Sequence, residues 1–226
     1  MIFVANYKMN GDKNFYIKVN KIFSKFKSLD TIVLCPPFVY TPFLELKHVA
    51  LGVQNVAARE NKQSTGEISA RMLADLGAKY AIIGHSERRE MGETDEMVAL
   101  KVNMAQTYGV IPIVCVGEKN KADNVMLVAD QVKAALSKRV NDEIIFAYEP
   151  IWAIGSGEIP TVEQIDNVLR IIRDAAAEQG VSVKVLYGGS VNLKNHKELR
   201  TSIADGFLMG GVSLKLDDFV SIIKGE

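Results

Sequence analysis

The sequence predicts an α/β protein folded as one closed (β/α)₈ barrel, and three observations support this prediction. The chain of 226 residues contains eight short apolar runs rich in strand-forming residues. Segments with helical periodicity lie between these runs, and no shift in composition marks a domain boundary. Alternating strands and helices favour a parallel sheet. The number of strand–helix units alone does not exclude a doubly wound sheet, although eight units fit a closed barrel better.

The predicted strands are near-continuous apolar runs, as expected for parallel strands that are buried on both faces. In chain order they are Ile2–Ala5, Thr31–Cys35, Leu51–Gln54, Tyr80–Ile83, Ile111–Val116, Ile144–Tyr148, Val183–Leu186 and Gly206–Met209. The clearest helix patterns cover Thr94–Tyr108, Asp123–Arg139 and Thr161–Gln179. Thr161 is followed three residues later by Gln164, which is the spacing of a capping box. One domain over residues 1–226 follows.

The charge balance excludes several classes of function. Twenty-seven basic and 27 acidic side chains cancel, so no overall field attracts nucleic acid or an anionic membrane.

The first residues lack the pattern of a signal peptide, and no apolar run approaches the length of a membrane span. Cys35 and Cys115 have neither metal-ligand nor CxxC spacing. We therefore expect a cytoplasmic protein with reduced thiols, without a metal and without a nucleic-acid or membrane partner.

Polar residues and glycines follow the predicted strands. Barrels of this kind build their active sites at the carboxyl ends of the strands, so these residues are expected at one rim. They are Asn6, Lys8, Gln54, Gly84, His85, Gly117, Glu118, Glu149, Gly188, Gly189, Ser190, Gly210 and Gly211.

Glu149 and His85 are the candidate proton-transfer groups. Glu149 ends an apolar strand and precedes Pro150, so poor solvation is expected to raise its pKa toward that of a useful base. A rim glutamate paired with a basic side chain is the equal alternative. His85 follows Gly84 where a short helix begins, and backbone donors there favour a neutral ring. A purely structural histidine remains the alternative.

Lys8 and the paired glycines are candidate binding groups for an anion. Asn6 and Lys8 are two residues apart, which puts them on one side if the chain is still extended. A solvated surface lysine is the common alternative. The glycine pairs after strands seven and eight let backbone amides approach an anion, and barrels frequently bind phosphate there. The apolar, glycine-bearing segment 150–160 fits a lid beside Glu149.

Several of these segments, in order along almost the whole chain, resemble the triosephosphate isomerase family. The most specific are Gly84-His85-Ser86-Glu87-Arg88-Arg89 and the segment from Ala147-Tyr148-Glu149-Pro150 to Gly155. The resemblance implies a TIM barrel that interconverts the triose phosphates dihydroxyacetone phosphate and D-glyceraldehyde 3-phosphate, in glycolysis and gluconeogenesis, without a cofactor.

The resemblance also assigns roles to residues. Glu149 is implied to remove a proton from carbon, and His85 to polarise the carbonyl and shuttle protons between the enediolate oxygens. Lys8 and Asn6 are implied to stabilise the developing negative charge, which makes them both catalytic and substrate-binding. The amides of Gly155, Ser190, Gly210 and Gly211 are implied to hold the phosphate, and Ser86, Glu87, Ile154 and Leu208 to support the site.

The segment 54–69 resembles the family loop that inserts into a partner subunit, which implies a homodimer in which Thr65 and Glu67 belong to the dimer loop. A solvated polar loop is the alternative. Lys62-Gln63-Ser64 departs from the family pattern and affects the expected dimer strength, and Glu158-Ile159-Pro160 departs at the lid hinge. Tyr7 also departs, but none of these changes touches Lys8, His85 or Glu149.

The sequence disfavours two other functions. A phosphate-binding barrel of another kind, such as a Schiff-base aldolase, needs a lysine projecting from a strand, and strand six ends in Glu149 instead. A catalytically dead homologue kept for binding is disfavoured, because the candidate base, electrophile, lysine, lid and glycine loops are all present.

Overall fold

The computed structural model describes residues 1–60, 63–153 and 158–226. In this part of the chain, eight parallel strands close into a barrel, each paired with the next and the last paired with the first. The strands are β1 Ile2–Asn6, β2 Thr31–Cys35, β3 Ala50–Val53, β4 Tyr80–Ile83, β5 Ile111–Val116, β6 Ile145–Tyr148, β7 Lys184–Tyr187 and β8 Gly206–Met209. The predicted (β/α)₈ barrel is confirmed.

Helices follow the strands and surround the barrel. They are α1 Lys13–Phe23, α2 Ala70–Asp75, α3 Ser86–Glu90, α4 Asp95–Thr107, α5 Met126–Leu136, α6 Val162–Ala177, α7 His196–Leu199 and α8 Leu216–Lys224. Three further short 3₁₀ helices cover Phe38–Phe43, Ile151–Ala153 and Gly211–Leu214. None of the helices in the described residues is long and apolar enough to cross a membrane.

Side-chain caps begin two of the predicted helices. The Thr94 side chain accepts a hydrogen bond from Met97 N–H at the start of α4. Thr161 forms the predicted reciprocal capping box with Gln164 at the start of α6. The helix predicted over Asp123–Arg139 is too long at both ends, because a turn between Asn120 and Asp123 precedes it and the chain leaves the helix after Leu136.

Two layers of apolar packing hold the barrel. The inner layer consists of inward-pointing side chains from alternate strand positions: Ile2, Val4, Val33, Cys35, Ile82, Ile113, Cys115, Ile145, Ala147, Leu186 and Leu208. Both cysteines are free and buried here. The outer layer lies between strands and helices and contains most of the remaining buried apolar side chains. A packed interior closes the barrel from within, so a site can form only at the ends of the strands.

Candidate active site

A cavity of about 360 Å³ opens at the carboxyl ends of the strands. Its lining brings together residues from β1, β4, β6, β7 and β8 and the loops that follow them: Asn6, Lys8, His85, Glu149, Gly188, Gly189, Ser190, Val191, Leu208, Gly210, Gly211 and Val212. Ten of these residues were predicted for the rim or the site, and the barrel places them side by side.

Glu149 and His85 contact each other across the floor of the cavity. The backbone N–H of Glu149 donates to Val116 O at 2.8 Å, which continues the β5 to β6 pairing and points the side chain at the cavity. Its Oε1 lies 3.0 Å from His85 Nε2, and its Oε2 accepts from Ser86 N–H at 3.0 Å. Both side chains are nearly buried, so this contact is shielded from water.

The hydrogen bonds of His85 define which ring nitrogen carries the proton. His85 caps helix α3, and its Nδ1 accepts from the backbone N–H of Glu87 at 3.2 Å. An accepting Nδ1 carries no hydrogen, so the proton of the neutral ring is on Nε2 and points at Glu149 Oε1. The expected neutral imidazole is therefore the form that this geometry favours.

The pKa of Glu149 differs from the sequence prediction. Burial raises the pKa of this carboxyl, but hydrogen bonds from His85 and from Ser86 N–H, together with the Lys8 charge, outweigh burial and hold the pKa below its usual range. The expectation of a raised pKa was wrong for this state of the site. It considered the poor solvation and missed the two donors that face the carboxylate.

Lys8 reaches the cavity through a turn. Its φ of 52° is the only positive φ of a non-glycine residue in the described chain, and such a conformation costs about 1–3 kcal/mol. Lys8 N–H donates to Asn6 Oδ1 at 3.1 Å, and Gln54 Nε2 donates to Lys8 O at 2.9 Å. Asn6 and Lys8 are thus neighbours, as predicted, but the reason is this turn and not an extended strand.

Among the described residues, the Lys8 ammonium has one close partner, Glu87 Oε1 at 2.6 Å. The side chain of Lys8 is partly exposed and that of Glu87 is about half exposed, so solvent screens this pair. The amine therefore remains available to an anion entering the cavity.

The backbone that follows β7 and β8 forms another wall of the cavity. Gly188 N–H donates to Tyr148 O at 2.7 Å, which holds the β7 loop against β6. A Cβ on Gly189 would lie 2.1 Å from the Tyr187 hydroxyl oxygen, so only glycine fits there. A Cβ on Gly210 would lie 3.2 Å from Lys8 Cε, whereas Gly211 has open space. The main chain is thus exposed to the cavity close to a lysine.

Comparison with known proteins agrees with this arrangement. The family model described as "Triosephosphate isomerase" matches residues 1–226. The chain belongs to the triosephosphate isomerase family. A triosephosphate isomerase from Neurospora crassa is 42% identical over 242 residues, covering 98% of this chain and 96% of that protein. One from Acetivibrio thermocellus is 42% identical over 244 residues, covering 99% and 97%. One from Natranaerobius thermophilus is 39% identical over 243 residues, covering 99% and 94%.

Triosephosphate isomerases are isomerases, so the chain is an enzyme of that class, as predicted. Ser86 and Glu87 lie beside the cavity and contact Glu149 and Lys8. Gly155 and Ile154 lie outside the described residues, so their predicted roles remain predictions.

Thr65 and Glu67 lie away from the cavity, both exposed, on the turn at which Glu67 N–H donates to Ser64 O at 3.2 Å. The base of this loop is anchored where Ala57 N–H donates to Ile68 O at 2.9 Å. The dimer role of Thr65 and Glu67 remains a prediction.

Three contributions were not predicted from the sequence. Gln54 was placed at the rim without a role, and it donates to both Lys8 O and Cys35 O at 2.9 Å. Val191 and Val212 add apolar surface to the cavity wall. A polar residue directly after an apolar strand was the signal for Gln54, whereas the two valines follow glycine loops and have no sequence signal of their own.

Proposed function

We propose that this enzyme interconverts dihydroxyacetone phosphate and D-glyceraldehyde 3-phosphate by proton transfer through an enediolate. The observation that carries the proposal is the contact between Glu149 Oε1 and the Nε2–H of a neutral His85, 3.0 Å apart, on the floor of the cavity. A carboxylate that accepts a proton and a neutral donor that polarises a carbonyl are the two groups that an aldose–ketose isomerisation needs.

In this mechanism Glu149 removes the proton from the carbon beside the carbonyl and returns it to the neighbouring carbon. His85 donates its Nε2 hydrogen bond to the carbonyl oxygen and moves protons between the two enediolate oxygens. The Lys8 ammonium and the Asn6 side chain stabilise the negative charge that develops there. All four residues line the same cavity, and this supports the roles proposed for them.

The phosphate is proposed to lie against the backbone of Ser190, Gly210 and Gly211, with Lys8 nearby and with Gly155 contributing from the lid. Main chain that borders the cavity at two glycine loops supports this placement. Closure of segment 150–160, with Ile154 over the base and Leu208 on the opposite side, would exclude water and protect an enediolate from losing phosphate.

Substrate binding is proposed to activate Glu149. In the free site the carboxylate is occupied by His85 and Ser86, and these donors hold its pKa down. A substrate carbonyl that takes the His85 hydrogen bond removes the first of them. Loss of that donor shifts the pKa of Glu149 upward, toward that of a useful base, when the substrate is in place. Supporting roles for Ser86 and Glu87 follow from their contacts in the free site.

The test is a coupled assay of the metal-free protein with D-glyceraldehyde 3-phosphate, following NADH consumption as a second enzyme reduces dihydroxyacetone phosphate. We expect fast turnover without an added cofactor, and its loss in Glu149→Gln. Absence of turnover in the wild-type protein, with binding of a phosphate-bearing enediolate mimic intact, would contradict the proposal and favour a binding homologue.

We also propose a homodimer formed through loop 54–69. Next to Lys8 and His85 the chain exposes a second cavity, of about 270 Å³, whose rim includes Met9 and Met91. These methionines are 96% and 73% exposed in the single chain. Exposed apolar surface is typical of a protein interface, and in the proposed dimer the loop of a second copy covers it.

Sedimentation of the wild-type protein and of Thr65→Arg tests the dimer. A long cation at the loop tip should shift the wild-type dimer to monomers and lower turnover, because the partner's loop would no longer cover the Lys8 side of the cavity. A wild-type monomer with full turnover would contradict this proposal without affecting the reaction.

The wider assignments remain proposals of the same kind. We propose that residues 1–226 act as one catalytic domain in the cytoplasm, in glycolysis and gluconeogenesis. The balanced charge and the family membership support a small-molecule substrate and no nucleic-acid partner.

A further inference from the structure

The backbone before His85 leaves the sheet abruptly. The pairing of β4 with β5 stops where Ile83 lies opposite Val114. The next residue, Gly84, has a φ of +68° and turns the chain out of the sheet. Its N–H and C=O therefore need partners other than a neighbouring strand.

Two side chains satisfy the peptide groups of Gly84. Glu93 Oε1 accepts from Gly84 N–H at 3.0 Å. Arg89 Nε donates to Gly84 O at 2.8 Å, and the carbonyl that accepts this bond belongs to the peptide that links Gly84 to His85. A displacement of that peptide group shifts the backbone of His85 and with it the ring.

Arg89 also ties this turn to two other elements. Its Nη2 donates to Cys115 O at 3.3 Å on β5, and its Nη1 lies 2.6 Å from Asp95 Oδ1 at the start of α4. The Arg89 side chain is only 17% exposed. A planar guanidinium can serve three acceptors in fixed directions, which the single ammonium of a lysine cannot do.

The His85 ring must be held in a precise position. The imidazole reaches Glu149 Oε1 with Nε2 while its Nδ1 accepts from Glu87 N–H, so a small movement of the ring breaks one contact or the other. Arg89 itself lies 17% exposed behind the turn and does not line the main cavity. Its most direct link to the cavity is the Gly84 carbonyl, and this link leads to His85.

We propose that Arg89 is a positioning residue, which fixes the Gly84–His85 peptide and thereby holds the His85 ring in register with Glu149. The proposal rests on the isomerase function proposed above. Arg89 contacts no substrate in this scheme.

Arg173 provides a matched control at the other end of the barrel. Its Nη2 donates to Ile203 O at 2.9 Å and lies 2.8 Å from Asp205 Oδ2, just before β8 begins. Like Arg89, it bridges a backbone carbonyl and an aspartate from a largely covered position. Removing either guanidinium should cost stability, but only the loss of Arg89 should disturb His85.

The kinetic experiment compares Arg89→Met, Arg89→Lys and Arg173→Met in the full-length protein. We expect kcat to fall by about 10- to 100-fold in Arg89→Met, because a misplacement of about 1 Å costs on the order of 100-fold, while KM stays within about twofold. Arg89→Lys, the variant more certain to fold, should still lose about tenfold. Arg173→Met should keep kcat within about twofold.

A spectroscopic experiment tests the same idea without substrate. Nitrogen-15 NMR of the free protein, which has three histidines, reports the two ring nitrogens of His85 separately. In the wild type one should appear protonated and the other unprotonated, and in both Arg89 variants the two shifts should move toward each other as the tautomers mix. Arg173→Met should retain the wild-type spectrum.

The outcomes separate this inference from the proposed reaction. Wild-type kcat in Arg89→Lys, or an unchanged His85 spectrum in both Arg89 variants, would overturn the positioning role. A kcat loss in Arg173→Met as large as that in Arg89→Met would overturn it too, since stability alone would explain both. An inactive wild type would refute the isomerase function, and the spectra would still decide the role of Arg89.

Discussion

Replacing Gly117 with alanine should move Glu149, the proposed catalytic base, without touching its side chain. Gly117 directly follows β5, and a Cβ built there lies 1.8 Å from Glu149 O and 2.7 Å from Glu149 C. Gly117 cannot easily withdraw, because its N–H donates to Gln131 Oε1 at 2.8 Å and its C=O accepts from Gln131 Nε2 at 3.2 Å. The strain therefore falls on the backbone of Glu149.

The size of the effect follows from the overlap. Ordinary contacts of a Cβ begin at 3.4 Å, so the Glu149 carbonyl must retreat by about 1.5 Å unless Gly117 shares the movement. A misplacement of about 1 Å costs on the order of 100-fold in rate, so kcat should fall by about 100-fold or more. Overpacking of this kind costs about 1–3 kcal/mol of stability. At about 2–4 °C per kcal/mol, Tm should fall by several degrees.

Gly206→Ala is the steric control. A Cβ at Gly206 lies 1.8 Å from Ile2 O, the same overlap with a neighbouring carbonyl, but at the amino-terminal end of β8. The assays are coupled turnover and thermal unfolding of both variants. We expect both to lose stability and only Gly117→Ala to lose about 100-fold in kcat. Equal kcat losses in the two folded variants, or wild-type kcat in Gly117→Ala, would refute the reasoning.

Three further predictions concern single side chains. Glu149→Asp withdraws the carboxylate by one methylene, so kcat should fall on the order of 100-fold with a much smaller change in KM. Steady-state kinetics that show only a change in KM would contradict the assignment of Glu149 as the base. Glu93→Gln leaves the buried Lys101 ammonium without its charge partner, and urea unfolding should show a loss of about 3–5 kcal/mol; a loss below about 1 kcal/mol would show that the pair is not needed. Burial, followed by the Arg200 charge, lowers the pKa of His196, so its contribution to stability is present above about pH 6.5 and is lost as the pH falls through the folded-state pKa. The difference in unfolding free energy between pH 8 and pH 5 should therefore shrink in His196→Gln, and an unchanged difference would exclude His196 as its source.

The fold was largely predictable because buried parallel strands leave a strong pattern in the sequence. The strand limits predicted at Thr31–Cys35, Tyr80–Ile83, Ile111–Val116 and Gly206–Met209 match those of the structure. At β3 and β7 the prediction is displaced by one residue, because apolar content does not tell where pairing starts and stops. Pairing depends on the neighbouring strand, which a single segment does not reveal.

The site was predictable in its membership and less so in its geometry. Active sites of these barrels form at the carboxyl ends of the strands, and this rule was enough to predict that Asn6, His85 and Glu149 share one cavity. The left-handed turn at Lys8 was not predictable, since lysine has no preference for positive φ and the carbonyl contact from Gln54 comes from 46 residues away. Long-range hydrogen bonds of this kind have no periodic signal.

The pKa of Glu149 illustrates why a residue's surroundings must be known before its chemistry is assigned. Burial alone would give a weak acid, yet two donors from the start of α3 reverse the direction of the shift. Both donors come from the segment that begins at His85, and the backbone of that segment is held by Arg89 and Glu93. The pKa of Glu149 therefore depends also on Arg89 and Glu93, which do not line the cavity. Such a site depends on contacts made by residues outside the cavity as much as on the residues that line it.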